Sequence, residues 1–557
     1  MTYLFTGNTN VLNEVEVKND SGNTLPVAVY NANGIITPSN RLDVNANIAG
    51  TVIVQTLGAT STSAFGEPYA VSITPVIQLD SIYGVTSEVI QTYTSGANAS
   101  AGANVTTAMW EVQSGTSVGG YGVLRTKRFL RYRPGQGALT RFTAAFTTGV
   151  ANSTQRAGLF NQENAIQIGY NGTTFGVLRA TGGKAHKTVL TINTAPNATQ
   201  TVTLILNGVT YSFSISAGTT TQAAAQIVTH DGFAGWLIDQ VDNTVVFMAD
   251  SLGVKSGTFS FSSTGNATGS FSTKQAGVAQ TENWTPQYNW NIDTLGVIDP
   301  ATGQRHTRNP SGMTLDPTKL NVYQINFRWL GAGEIRYAIE DQTTGNMVFF
   351  HREHYTNQNL IPHVAQPSFK IGYVAYSLGS TTNLKVIGAS MMGGIEGTVF
   401  QNELNRSTST SKSSLAQNTL HHLLTLRNPY VTNGAANALN GSYVLNAKEC
   451  ILKNISVATQ GNDPGIIYIF YEATSFSGTH LYYSQPKDNE MISTETGTLN
   501  ATTDTAISRF VTAINGQASY DLSPYRIAIP PGSDISIGIQ STAQLSRVSV
   551  ALVFSED

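Results

Sequence analysis

The sequence predicts a mainly β protein, made of antiparallel β-sandwich or jelly-roll domains with a small inserted α+β module. Three observations lead there. Nearly every periodic stretch alternates apolar and polar residues with a period of two, as in YAVSITPVIQL (69–79), RFTAAFTT (141–148), AIQIGYNGTTFGVLRA (165–180) and NVYQINFRWL (321–330). Gly, Asn and Asp separate these stretches at short, regular spacing, which favours sandwiches over an α/β fold. Only 12% of the 557 residues are Asp, Glu, Lys or Arg, against about 25% in an ordinary soluble domain. Thr, Ser, Asn and Gln therefore carry the surface, which suits a protein packed against copies of itself.

Taken in order, residues 1–60 read as an N-terminal attachment segment. Within them VEVKNDSGNTLPVAVYNANG (15–34) sets Val15 and Val17 against Glu16 and Lys18, breaks at Asn19–Asn23, resumes with Val27 and Val29, and breaks again at Asn31–Gly34. That is a hairpin pattern. A hairpin so small has little core of its own, so Val15, Val17, Val27 and Val29 are expected to be buried against a partner. Residues 61–183 and 282–395 are assigned to one discontinuous sandwich, because the strand-rich sequence before 184 resumes after 281 with YNWNIDTL and LNVYQINFRWL. Here EIRYAIEDQTTGNMVFFHRE (334–353) reads as a hairpin whose turn is Asp341–Asn346.

Between the two parts, residues 184–281 shift to Thr, Ser, Ala and Gly and form the inserted module. Two strands, TVLTINTA and TVTLILNGVTYSFSIS, precede a helical run, TTTQAAAQIVTHDGF, and two more strands follow it. Thr219 to Thr221 offer the cap, and Ala223, Ile227 and Val228 the apolar stripe. Residues 396–419, containing RSTSTSKSSLAQNT, read as a Ser/Thr-rich linker. Residues 420–557 carry enough alternating segments, ILKNISVAT and RVSVALVF among them, for a C-terminal β-sandwich. No fixed-period repeat runs through the chain, which disfavours a solenoid or propeller.

The densest charge cluster is RTKRFLRYRPGQG (125–137). On a strand it would place Arg125, Lys127, Phe129, Arg131 and Arg133 on one face, and Arg128, Leu130 and Tyr132 on the other. Arg125, Lys127, Arg128, Arg131 and Arg133 are thus candidates for a ligand contact, for a subunit contact answered by a neighbour's carboxylates, or for protection of an edge strand. No second basic stripe accompanies them and the formal net charge is −3, so nucleic acid and anionic membranes are not expected partners. Trp284, Tyr288 and Trp290 in ENWTPQYNWNIDT read first as core of the resumed sandwich, with stacking on sugar rings from an exposed loop as the alternative.

Other groups point to no chemistry. His351 and His354 would face opposite sides of a strand, His421 and His422 are adjacent and divergent, and no third ligand converges on either pair. Glu334, Glu340, Asp341 and Glu353 lie near one hairpin, but acidic positions alone do not make the paired carboxylates of a glycosidase. GTSVGGYG and LGAGE lack the residues of a phosphate loop, and GNDPG (461–465) is only loosely like a calcium loop. The single cysteine, Cys450, excludes an intrachain disulfide and a Cys-based zinc site and reads as a buried, inert thiol. No catalytic residue, cofactor or metal is assigned. The N-terminal residues lack the charged and apolar regions of a secretory signal, and no run approaches the ~18 apolar residues of a membrane span. Synthesis in a cytoplasm, without membrane insertion, is the expectation.

VEVKNDSGNTLPV resembles a VEV-ND-GN-LPV segment near the N-termini of structural proteins of tailed bacteriophages. GEIRYAIEDQTTGNMVFFH and RYRPGQGALTRF resemble segments of the same virion proteins, and LNGVTYSFSISAGTTTQAAAQI is similar to small α+β modules spliced into phage tail and baseplate proteins. None of these is a catalytic motif. The resemblance implies a non-enzymatic virion structural protein made in the host cytoplasm. In its main form this is a tail fibre or receptor-binding protein that docks through its N-terminus to other virion proteins and meets the host surface, and its polysaccharide, with the outer β-domains. It also implies a homo-oligomer, a trimer being favoured. Two alternatives stay open: a capsid decoration or head-fibre protein that stabilises the shell, and a polysaccharide-depolymerising tailspike.

Overall fold

The computed structural model describes residues 72–230, 232–300, 302–398, 404–432, 443–483 and 490–556, together with the backbone at 30–31 and 34–35. The chain divides into two compact units, Met1–Ala70 and Val71–Asp557. In the first, Tyr30–Asn31 pairs antiparallel with Gly34–Ile35, Asn31 opposite Gly34, so the chain reverses at the second of the two Asn-rich breaks. Val15, Val17, Val27 and Val29 lie outside the described residues.

The body of the second unit is a sandwich of two antiparallel sheets. The seven-stranded sheet runs Thr281–Pro286, Thr174–Thr181, Ala165–Asn171, Ser153–Phe160, Lys370–Ser377, Tyr121–Thr126 and Ile90–Ser95. The facing sheet has nine strands, with Ala138–Phe146 pairing Asn321–Phe327 on one side and Ser390–Glu396 and Lys385–Gly388 on the other. Alternation places the side chains: Ile168 lies opposite Val177 and Tyr170 opposite Phe175, and all four enter the core between the sheets. A one-residue slip would turn that row outward, so burial fixes the register. Trp110, Phe142, Trp290, Tyr323, Tyr337, Phe350 and Tyr373 are almost wholly buried in the same core. Each such side chain contributes on the order of 1.5–3 kcal/mol on burial.

The hairpin expected at 334–353 is present as Ile335–Glu340 and Met347–Glu353. Its turn closes through Asp341 N–H to Asn346 O (2.8 Å) and Gly345 N–H to Asp341 O (2.8 Å). Gly345 sits at φ +70° there, the left-handed region that a glycine enters without a Cβ clash.

Thr174–Thr181 pairs directly with Thr281–Pro286, Leu178 opposite Trp284, so the intervening chain leaves and returns at one sheet edge. That chain builds a four-stranded sheet and a three-stranded sheet around the helix Thr220–Val228. Thr219 Oγ1 accepts Gln222 N–H (3.1 Å) and Gln222 Oε1 accepts Thr219 N–H (2.7 Å), a reciprocal capping box that satisfies two donors with no helical partner. Ala223, Ala224 and Ile227 then pack with Leu190, Val202, Leu204 and Phe247. Val228 lies at the half-buried margin of this cluster.

The expected linker is corrected by the structure. Leu404–Leu415 is a twelve-residue strand, paired along its length with Leu545–Glu556: Asn405 opposite Ser555, Thr410 opposite Val550. It is an edge strand of the C-terminal sandwich. With little of either face buried, it needs no apolar alternation, and backbone pairing makes it a strand where composition suggested coil. The sandwich core gathers Leu424, Leu452, Ile455, Ile469, Ile537, Leu552 and Phe554. Cys450 belongs to it, fully buried, and burial pushes its thiol well above the usual range. Among the described residues no helix is long and apolar enough to cross a membrane.

Candidate functional site

The basic cluster is the first candidate. The strand Tyr121–Thr126 ends where the charges concentrate, because Thr126 Oγ1 caps it, donating to Arg128 O (2.7 Å) and accepting Ile371 N–H (3.1 Å). The expected two-faced strand is therefore not built. Phe129 and Leu130, placed on opposite faces by the strand pattern, are both buried. Arg125 reaches back to Gln91 Oε1 (3.2 Å) and the Tyr93 hydroxyl (3.3 Å), while Arg131 and Arg133 lie half-buried beyond the strand end.

Lys127 and Arg128 find carboxylates within this same chain. Lys127 Nζ lies 2.7 Å from Glu472, and Arg128 forks onto Glu449 at 2.7 and 3.0 Å. Glu449 and Glu472 both belong to the C-terminal sandwich. Beneath them Lys370 is buried, its Nζ over the Phe129 ring at 4.9 Å, and burial drives its ammonium well below the usual range. The cluster is a seam between body and C-terminal sandwich.

A second seam joins the inserted module to that sandwich. Arg427 donates to Asp239 through Nη2 (2.8 Å) and Nε (3.0 Å) and to Asp534 through Nη1 (3.2 Å). Asp239 also accepts Tyr430 N–H at 2.7 Å. Val189, Val246 and Met248 of the module pack there with Val431, Leu445 and Tyr482.

The remaining candidate is a cleft of about 980 Å³ at the body's sheet edge, where Thr174–Thr181 and Thr281–Pro286 approach the end of Met347–Glu353. Arg179 takes the odd-numbered inward row after Phe175 and Val177. Its Nε meets Glu353 at 2.5 Å, its Nη1 donates to His363 O at 3.1 Å, and its guanidinium lies over the Tyr355 ring at 5.0 Å. The other Glu353 oxygen accepts the Tyr337 hydroxyl at 3.2 Å. On the outward row Arg156 forks onto Glu282 at 2.8 and 3.0 Å and lies over Trp284 at 5.9 Å. Burial opposes ionisation of Glu282, but the Arg156 hydrogen bonds and charge outweigh it and hold the carboxyl below the usual range.

His351 also lines the cleft. Its Nδ1 accepts Asn291 N–H at 3.3 Å, and burial pushes the imidazole down to about 4, so the ring is neutral near pH 7 with its proton on Nε2. Of the aromatic trio, only Trp284 lines the cleft. Tyr288 is half-buried in a short 3₁₀ turn, and Trp290 is fully buried, stacked on Phe350 at 4.1 Å. Trp290 as a sugar-stacking residue is thereby corrected: the turn directs it into the sandwich core.

No protein-family model matches the chain, and no curated protein matches it. Among solved structures, one of the triple jelly roll fold and turret assembly in an archaeal virus is 8% identical, covering 84% of this chain and 88% of its own, with a TM-score of 0.13. A second, of Sulfolobus turreted icosahedral virus, is 9% identical over 84% of this chain and 89% of its own, also at 0.13. At that TM-score neither likeness carries an argument about this chain.

Of the acidic residues singled out from sequence, only Glu353 lines the cleft. Glu334 holds Arg336 at 2.6 Å, Asp341 closes its hairpin turn, and Glu340 is exposed. His421 is half-buried while His422 is fully buried, and among the described residues no group of three His, Cys, Asp or Glu is placed to hold a metal ion. Sequence reasoning missed Arg179, Asp239, Tyr355 and Arg427. For two of them a signal was present: Asp239 shares a strand face with Leu237 and Val241, and Arg179 shares one with Phe175 and Val177. A charge on an otherwise apolar face has to have a partner.

Proposed function

We propose that this chain is a non-enzymatic virion structural protein of the tail-fibre or receptor-binding type. In this reading its N-terminal segment attaches it to other virion proteins and its outer β-domains meet polysaccharide on the host surface. The observation that most supports it is mechanical. Two sandwiches and an α+β module are tied into one body by Arg427 with Asp239, Lys127 with Glu472 and Arg128 with Glu449, while the cleft gathers paired charges and aromatic rings. Such a body suits a protein that transmits load between a particle and a host glycan. Several copies, a trimer being favoured, would add avidity to weak single sites. The resemblance of VEVKNDSGNTLPV to phage virion segments points the same way.

The test is a truncation lacking residues 1–60, compared with the full chain in particle assembly. The expected outcome is a folded protein, with unchanged near-ultraviolet circular dichroism, that no longer enters particles, and label at the tail when the full chain is tagged at its C-terminus. Label spread over the shell would replace this reading with capsid decoration. Release of oligosaccharide from host polysaccharide would replace it with a depolymerising tailspike.

A further inference from the structure

We infer that the cleft beside Thr174–Thr181 and Thr281–Pro286 binds an uncharged oligosaccharide. This deepens the host-attachment reading and rests on it only for where the sugar comes from. The charges come first. Arg179 and Arg352 line the cleft against Glu282 and Glu353, two cations and two anions, with the imidazoles of His351 and His354 beside them. Arg179 is held by Glu353 and Glu282 by Arg156, while Arg352 and His354 each stand 4.0 Å from Glu334. A charged ligand would find no net field from two cations and two anions, and one that displaced Arg179 or Glu282 from its partner would leave the other charge unanswered. A hydroxyl needs no displacement. It can donate to a spare carboxylate lone pair or accept from a guanidinium, and hydrogen bonds to ionised groups are roughly twice as strong as neutral ones.

The groups left over match a sugar as well. Because Nδ1 of His351 accepts from Asn291, the other nitrogen of this cleft-lining residue carries the proton and is a donor. Asn283, Gln358 and Asn359 are exposed on the rim, and an amide both donates and accepts, as vicinal hydroxyls do. Trp284 and Tyr355 add aromatic surface to the wall; a guanidinium lies over one face of each ring, so a pyranose would meet the ring surface that the cations leave uncovered. At about 980 Å³ the cleft is at the top of the roughly 300–1,000 Å³ range of small-ligand sites, which fits a short oligomer better than one ring.

The experiment is calorimetric titration of the full chain with maltohexaose, mannohexaose and a galactan hexamer, and with hexagalacturonate as an anionic probe of matched length. Saturable binding to a neutral hexamer is expected, insensitive to added salt. Gln358→Ala combined with Asn359→Ala, at exposed positions and with the melting temperature measured alongside and expected to stay unchanged, should weaken binding about tenfold or more, as should Trp284→Ala. If Trp284→Ala fails to fold, the rim double variant decides. No binding to any neutral hexamer, tighter and salt-sensitive binding to hexagalacturonate, or full affinity in the rim variant would each overturn the inference. A chain found in particles that binds no neutral sugar overturns this inference alone; one that binds sugar but never enters particles overturns the virion reading alone.

Discussion

Arg427 and Asp239 are separated by 188 residues, and each is a charge in an apolar strand, answered chiefly by the other with Asp534 as a second partner of Arg427. Burial works against both: it pushes the Asp239 carboxyl upward, and it opposes the guanidinium's charge until Asp239, Tyr482 and Asp534 outweigh it and raise Arg427. Removing Arg427 leaves the buried Asp239 carboxylate and the half-buried Asp534 carboxylate without their shared cation, at a cost of about 3–5 kcal/mol. Arg427→Met is therefore expected to lower stability by that order in denaturant unfolding, and Asp239→Ala by less, since Arg427 keeps Asp534 at 3.2 Å. Replacing all three charges together, Asp239→Leu and Asp534→Leu with Arg427→Met, should restore most of the loss. Trp290 and Trp284 make a second contrast. Trp290→Ala empties a stacked core site and should cost about 3–5 kcal/mol, whereas Trp284→Ala, at a half-exposed position on the cleft wall, should cost clearly less in the same measurement.

Two strands carry predictions of their own. In Leu404–Leu415 one backbone edge pairs with Leu545–Glu556 and the other is the sheet edge. Hydrogen exchange across residues 405–413 should show slow and fast amides in alternation, the period of an edge strand; uniformly fast exchange would restore the linker. In His421–Arg427, His422 is fully buried, donating through Nδ1 to Glu495 O (2.7 Å) and bonded through Nε2 to the Thr425 hydroxyl (2.8 Å). Lys412 Nζ donates to that same Glu495 oxygen at 2.7 Å. A protonated His422 would thus set two cations on one carbonyl, and burial already holds its imidazole down to about 4. The unfolded chain takes up this proton first, near its ordinary value of about 6.5. The contribution of neutral His422 to stability is therefore complete above about 6.5 and is lost as pH falls toward about 4. Stability measured by unfolding across that window should decline with falling pH, and His422→Gln should remove its share of the decline, leaving that of His351 and His480, which burial holds down to about 4 and about 3.

At the scale of the molecule, the two seams couple lobes that have separate cores. Calorimetry of residues 71–557 is expected to give one cooperative transition, and Glu449→Ala with Asp239→Ala should split off a lower one for the C-terminal sandwich. How far sequence foresaw this body follows from the range of each interaction. Period-two alternation marked AIQIGYNGTTFGVLRA, which folds as the hairpin Ala165–Asn171 and Thr174–Thr181. Thr219 marked a helix start, and the alternating KECILKNISVA marked a buried Cys450, because strand faces, caps and turns are decided by neighbours a few residues away. RSTSTSKSS misled, since an edge strand with little of either face buried leaves no apolar period to read. Only tertiary structure decided that Arg128 meets Glu449, 321 residues on, that Arg179 meets Glu353, 174 residues on, and that Trp284 faces a cleft while Trp290 faces the core. Those pairings depend on how separately folded sheets pack against one another, and no local periodicity records that.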